Sequence, residues 1–412
     1  MLSQKIKISF FIIGFSLLGV RNIVAQTFQH PIQNVEATWH KITLTEEVLS
    51  KVNTNLADVR IYAIGEAGDT LEVPYFLEKQ HDQFLATNKK HRVINRSKKG
   101  DEYFFTIKLN KNTPINEIDL SFRNKNFNWL LDLQGSQDQK EWFTIEQEYR
   151  IVSIVNEITN YQFTTLRFSS SEYQYYQIKL KSEERPSIST IEINAKETKR
   201  GTYNQYESNF RVVVNKERKQ SIISVDLAKR LPISKIQLAI SDSFDFQRPI
   251  RINYLVDSIQ TQTGWVKNYQ SLQASYLSSL EKNEFLFDDI FTSQLQLVVD
   301  NHDNTPLNFN NVKVEGVAHQ LVARFDKPAA KHWLVYGDKT LKSPRYDIVN
   351  FKDKIPEQIP ELGIGKQLKL KEVKNEEEPL LTNQWWLWGI LIVLIAILGG
   401  FTFSMIKGAN KQ

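Results

Sequence analysis

The chain contains no cysteine. That excludes disulfide staples, thiolate metal sites and a cysteine nucleophile, and it leaves no residue for a lipoprotein anchor. An excess of one charge is missing too: 52 Lys+Arg stand against 47 Asp+Glu, a net +5 with no basic stripe, so no nucleic-acid partner is expected. None of the seven histidines (His30, His40, His81, His91, His302, His319, His332) lies at helical or zinc-ligand spacing from another. There is no glycine-rich phosphate loop, and no Gly-x-Ser-x-Gly elbow, because Gly135-Ser136 lacks the required flanks. Acidic pairs such as Glu183-Glu184 abound, but a glycosidase needs two carboxylates roughly 5 to 10 Å apart, which spacing along a chain does not define. The sequence therefore nominates no catalytic residue, no metal site and no cofactor.

What is present is enough apolar material, 41% of 412 residues, to build cores for two to four domains. One stretch occurs twice. Thr106 to Phe122 matches Ser224 to Ile240 without a gap, placing Leu109 on Leu227, Pro114 on Pro232, Ile115 on Ile233, Ile118 on Ile236 and Leu120 on Leu238 at a constant offset of 118. Each copy then continues into an alternating strand (Trp129, Leu131, Leu133; Ile250, Ile252, Tyr254), a polar turn and a tryptophan, Trp142 or Trp265. A period this long marks a duplicated domain, not a solenoid. Seven or so short strands per copy, with turns every eight to twelve residues, predict β-sandwich or jelly-roll domains at 98–196 and 208–317, joined by a polar linker around Gly201. Alternation places Trp129, Trp142 and Trp265 in the cores.

The remaining segments are assigned by local signals. Residues 26–97 show a strand at Trp39, a short helix at Glu46–Val52 and a strand–turn–strand around Gly65, with Pro74 demoting the second strand to an edge; they are expected to form a small N-terminal β domain. Residues 318–349 are expected to add a membrane-proximal pair of strands, and the Lys-, Glu- and Pro-rich 350–383 to form a stalk. Lys5 and Lys7, an apolar run to Val20 and the small Ala25 predict a signal peptide at 1–25. The uncharged run Trp385 to Ile406, with a tryptophan cluster at one end and Lys407 and Lys411 beyond the other, predicts a transmembrane helix at 385–406 with a cytoplasmic tail at 407–412. The expected fold class is all-β, with one C-terminal transmembrane helix. The expected location is the cytoplasmic membrane, single-pass, with the N-terminal ectodomain on the extracytoplasmic side.

Leu131-Asp132-Leu133-Gln134-Gly135-Ser136-Gln137-Asp138, followed by Glu141-Trp142, resembles the strand, Gly-Ser-x-Asp turn and tryptophan of galactose-binding-like, discoidin-type jelly rolls, and Tyr175 to Leu180 resembles one of their later strands. The second copy has Asp257-Ser258-Ile259-Gln260 in place of that turn. The whole arrangement, with Tyr336-Gly337 and Ser343-Pro344-Arg345-Tyr346-Asp347 after the modules, is similar to a bacterial membrane-anchored family of unknown function with tandem modules of this type; the family carries no established activity to transfer.

Two loops follow equivalent duplicated strands and combine aromatics with amide or charged groups, the elements of sugar stacking and hydroxyl recognition: Arg123, Asn126 and Phe127 in the first copy, Phe244, Phe246 and Arg248 in the second. Asp300-Asn301-His302-Asp303-Asn304 alternates oxygens as calcium loops do, but it lacks the glycine and distal Glu of an EF-hand and reads as a polar turn, leaving a structural calcium unsupported. Two functions are expected from this: a non-enzymatic envelope-anchored binding or scaffold protein that presents jelly rolls to a glycan or protein partner, or a polysaccharide- or peptidoglycan-acting enzyme with accessory jelly rolls. No segment is left over for a catalytic domain, which favours the first.

Overall fold

The computed structural model describes residues 28–65, 69–157, 159–262, 264–326, 331–369 and the helix 384–409. The expected signal peptide, residues 370–383 of the expected stalk and residues 410–412 of the tail lie outside the described residues.

The first repeat folds as two antiparallel sheets. One runs Asn160–Phe163, Phe143–Val155, Phe127–Ser136, Tyr175–Lys181, Glu102–Leu109, His91–Lys99; the other runs Thr165–Ser171, Ile115–Phe122, Ile188–Lys199, Gln83–Asn88. The period-two pattern turns Leu131, Leu133, Tyr176, Ile178 and Leu180 inward, each at most 1% exposed, and they pack against Ile115, Ile118 and Leu120 of the facing sheet. The boundary expected at residue 97 moves back to about residue 80, because Gln83–Asn88 and His91–Lys99 pair within this sandwich.

In the second repeat, strands that are separate in the first run on into one another. Gln220–Ile240 takes the place of both Glu102–Leu109 and Ile115–Phe122 within a single seven-stranded sheet, its register shifting between Asp226 and Leu231. Glu284–Asp300 likewise replaces Thr165–Ser171 and Tyr175–Lys181. The register repeats with the sequence: Phe105 faces Ile178 and Ile118 faces Ile193 in one sandwich, and Ile223 faces Leu297 and Ile236 faces Val314 in the other.

The Gly-Ser-x-Asp turn is a structural device. Ser136 Oγ accepts the N–H of Gln139 (2.9 Å), and Asp138 Oδ1 accepts those of Lys140 (2.8 Å) and Glu141 (3.1 Å). A Cβ at Gly135 would fall 2.1 Å from the Tyr173 ring, so only glycine lets that ring lie across the strand. The second sandwich has no such turn because its hairpin, Gln247–Thr261 with Gly264–Ser278, continues outward. Glu284–Asp300 accompanies it only along Ile250–Tyr254, leaving a two-stranded ribbon. Trp265 lies on that ribbon and is 64% exposed, and Trp142 is half-buried; of the expected core tryptophans only Trp129 is buried.

The N-terminal strands and the expected membrane-proximal strands are one domain. Trp39–Thr43 and Tyr75–Lys79 flank His319–Arg324 in a three-stranded sheet, while Phe28–Ile32 and Arg60–Ile64 flank Lys331–Tyr336 in a second sheet. Pro74 sits where the chain leaves Thr70–Glu72, at the edge of one sheet, and enters Tyr75–Lys79, at the edge of the other. Both sandwiches are thus inserted into this composite domain. The three crossings meet: Gln80 N–H donates to Ala318 O (3.1 Å), Thr202 N–H to Gln80 O (2.9 Å) and Ala318 N–H to Thr202 O (2.8 Å). Gly201 belongs to this junction, since a Cβ there would lie 2.1 Å from Gln80 O. The composite domain and the second sandwich share one continuous core, whereas the first sandwich has its own.

The expected stalk does not begin at residue 350. Residues 360–369 strap the composite domain: Lys41 N–H donates to Pro360 O (2.9 Å), Leu362 N–H to Lys41 O (2.8 Å) and Gly365 N–H to Pro31 O (2.7 Å), and Leu368–Lys369 adds a strand beside Phe28–Ile32. Prolines that bar a helix are compatible with this edge position. Beyond it, Gln384–Ala409 is a single helix. Among the described residues no helix is long and apolar enough to cross a membrane, so the expected span rests on the sequence of that segment.

Candidate functional site

The two sandwiches meet along a narrow seam. Tyr161 of the first, 6% exposed, hydrogen-bonds Ser278 Oγ (2.9 Å) and donates to Glu281 Oε2 (3.1 Å) of the second, and its ring meets Tyr276 edge-on. Burial pushes its phenol well above the ordinary range. Beside this contact a cleft of ≈ 520 Å³ opens, walled by Arg150, Val152, Ile154 and Tyr161 on one side and by Phe244–Arg248, Ser278–Leu280, Asn304 and Thr305 on the other.

The loop carrying Phe244 is fixed at both ends. Asp242 accepts the backbone N–H (2.7 Å) and the side-chain amide (2.9 Å) of Asn308, and Phe246 N–H donates to Ser279 Oγ (3.2 Å). Phe246, 6% exposed, plugs the sandwich end, whereas Phe244 stands above it edge-on and is 45% exposed, presenting an aromatic surface at the cleft. Arg150 crosses from the first sandwich to donate to Asp245 Oδ2 (2.6 Å), with its Nε bonded to Asn128 Oδ1 (2.8 Å). That hydrogen bond holds the Asp245 carboxyl below its ordinary range.

Arg248 is 8% exposed. Its Nη1 donates to Gln247 O (2.9 Å), while Nε and the neighbouring Gln247 Nε2 are buried without a protein partner. Burial lowers its guanidinium pKa from the ordinary value, but an arginine side chain stays charged in a protein. The cleft therefore holds two guanidiniums and, among its described lining residues, one carboxylate.

Of the six residues nominated from sequence, Phe244, Phe246 and Arg248 come together at this cleft, with Phe246 as its floor. The first-copy loop forms no counterpart. Phe127 is 7% exposed and stacks on Trp129 with ring centroids 3.9 Å apart, so it belongs to the core. Asn126 adopts a left-handed φ of 56° and accepts the N–H of Val155 (2.7 Å), which makes it a turn residue. Arg123 is exposed, its N–H donating to Ser187 O, and it does not line the cleft. Arg150, Tyr161, Ser278 and Asn304 were not nominated, because their place at the cleft follows from how two modules dock. The loop at 300–304 is a braced polar turn: Asp300 accepts from Arg251 (3.1 Å) and Gln220 (2.6 Å), Asp303 pairs with Lys219, and Asn301 donates to Ser221 (2.9 Å).

Strand order and cleft together define a tandem jelly-roll protein with a cleft between its modules. No protein-family model matches the chain, and no curated protein sequence matches it. Among solved structures, the CBM32-1 and CBM32-2 domains of Clostridium perfringens ZmpB align over 62% of this chain and 94% of that one at 9% identity, TM-score 0.21. A fucolectin from striped bass (Morone saxatilis) serum aligns over 58% and 99% at 10% identity, TM-score 0.17. A truncated AlyQ with CBM32 and alginate lyase domains aligns over 64% and 98% at 8% identity, TM-score 0.20. At such scores the alignments carry no argument about function, and the jelly-roll assignment stands on the sheets themselves.

Proposed function

We propose that the chain is a cell-envelope protein, tethered in the cytoplasmic membrane by its C-terminal helix, that binds a saccharide without altering it in the cleft between its two jelly rolls. The observation that carries this reading is the exposed ring of Phe244 beside polar groups fixed by the fold, the Arg248 guanidinium and the Gln247 amide. An aromatic face with convergent polar groups suits a sugar ring, whose C–H face stacks while its hydroxyls hydrogen-bond. Binding is favoured over glycoside hydrolysis because Asp245, the single carboxylate among the described lining residues, is engaged by Arg150, and hydrolysis by the usual route needs two carboxyl groups. The tether is supported by the sequence of the uncharged run Trp385 to Ile406.

The test is calorimetric titration of the purified full chain with envelope and plant-type polysaccharide fragments, alongside an assay for new reducing ends. Binding that falls roughly five- to thirtyfold in Phe244→Ala, with saccharide recovered intact, is expected, since a stacked ring contributes on the order of 1–2 kcal/mol. Turnover by the contaminant-free protein, or binding indifferent to Phe244, would sink the reading.

A further inference from the structure

We propose that the cleft selects a saccharide bearing a carboxylate, with the Arg248 guanidinium as its ion-pairing partner; this rests on the saccharide reading above. Arg248 is the one charged residue of the cleft that is more than nine-tenths buried. No ion pair joins it to any described residue, its Nη1 hydrogen bond goes to an uncharged carbonyl, and its Nε is buried without a partner. Asp245, the one carboxylate among the cleft's described lining residues, is committed elsewhere, at 2.6 Å from Arg150 and 3.3 Å from Ser279 Oγ. A buried charge left uncompensated is unfavourable, and a guanidinium cannot escape by losing its proton. A neutral sugar hydroxyl would satisfy its donors but not its charge. A carboxylate supplies both an acceptor and the opposite charge, and its hydrogen bond to a guanidinium is charge-assisted. The Gln247 amide, also short of an acceptor, lies next to it. Arg150 keeps its own carboxylate, so the described lining residues carry one positive charge in excess, the sign that attracts such a ligand.

The experiment titrates the full chain with oligosaccharides of galacturonate, alginate and hyaluronan, each paired with its carboxyl-reduced, neutral form. At least one acidic member should bind tenfold or more tighter than its reduced twin, and the difference should shrink as salt rises. Arg248→Gln should remove most of that preference, bringing affinity for the acidic form close to that of its reduced twin in the same variant, and Arg248→Lys should retain part of it. The comparison of twins needs only the wild-type protein, so it stands even where a variant folds poorly. Equal binding of acidic and reduced forms overturns carboxylate selection and leaves the saccharide reading intact. Preference for sulfated or phosphorylated sugars over uronates overturns the carboxylate assignment. Binding of none of these overturns both.

Discussion

Asp289→Asn probes how the second sandwich is held to the composite domain. Asp289 lies on Glu284–Asp300, with its side chain 6% exposed, and receives Lys79 Nζ at 2.7 Å and His319 Nε2 at 3.2 Å, both from the neighbouring sheet. His319 is fully buried, and its Nδ1 meets Val317 O at 2.9 Å, so both ring nitrogens face acceptors. Removing one partner from a buried charge cluster typically costs about 3–5 kcal/mol. The lower end applies here, about 3 kcal/mol, because the Lys79 side chain is 37% exposed and solvent screens that half of the contact. For a cooperative unit of roughly 200 residues this lowers the melting temperature by about 6–12 °C. Thermal melts of the full chain followed by calorimetry should show it in the transition shared by the composite domain and the second sandwich. The first sandwich, with its separate core, should melt unchanged and serve as an internal control. The pH dependence carries a sign. Burial alone would raise the Asp289 carboxyl, but hydrogen bonds from His319 and Lys79 outweigh it and hold the group below its ordinary 3.8. A depressed carboxylate contributes stability that is complete above the unfolded value and lost as pH falls through the folded one. The gap between wild type and variant should therefore be flat from about pH 7 to 5 and close below about pH 4. A gap under about 0.5 kcal/mol at pH 7, or one that widens in acid, would refute the reasoning.

Gly135→Ala should destabilise the first sandwich by about 1–3 kcal/mol through its clash with Tyr173, and Tyr173→Ala in the same chain should relieve most of the loss, as denaturant titration would report. Leu131→Ala, removing a side chain 1% exposed, should cost about 2–5 kcal/mol, whereas Trp265→Ala, 64% exposed, should change stability by less than about 0.5 kcal/mol; equal effects would mean the hairpin ribbon is covered. A reporter active only in the cytoplasm, fused after Gln412, should function, and activity of a reporter that works only outside the membrane would reverse the proposed orientation.

Much of the fold was legible where pattern is local. Leu109, Ile115, Ile118 and Leu120 announce the same inward positions as Leu227, Ile233, Ile236 and Leu238 because both copies meet the same facing strands, and all eight are buried. The composite domain was not legible, since Trp39–Thr43 finds His319–Arg324 only after both sandwiches have passed, and nothing in either strand encodes the partner. Trp265 misled because alternation specifies which way a side chain points, not whether a neighbour covers that face. The lining of the candidate cleft was half legible. Phe244 and Arg248 stood out as an aromatic and a charge after a repeated strand, but Arg150 and Tyr161 look like ordinary strand residues until a second module docks against them. Phe127 belongs to the core instead; an aromatic at the start of a strand that stacks on Trp129 is indistinguishable, in one dimension, from one that faces solvent.

Hydrogen–deuterium exchange of the full chain, with and without a saturating bound saccharide, tests the inter-module cleft most directly. The account predicts slowed exchange on both walls at once, in residues 148–162 of the first sandwich and 242–249 and 277–281 of the second, with the loop 123–127 unchanged. Protection confined to one sandwich, or centred on 123–127, would contradict it.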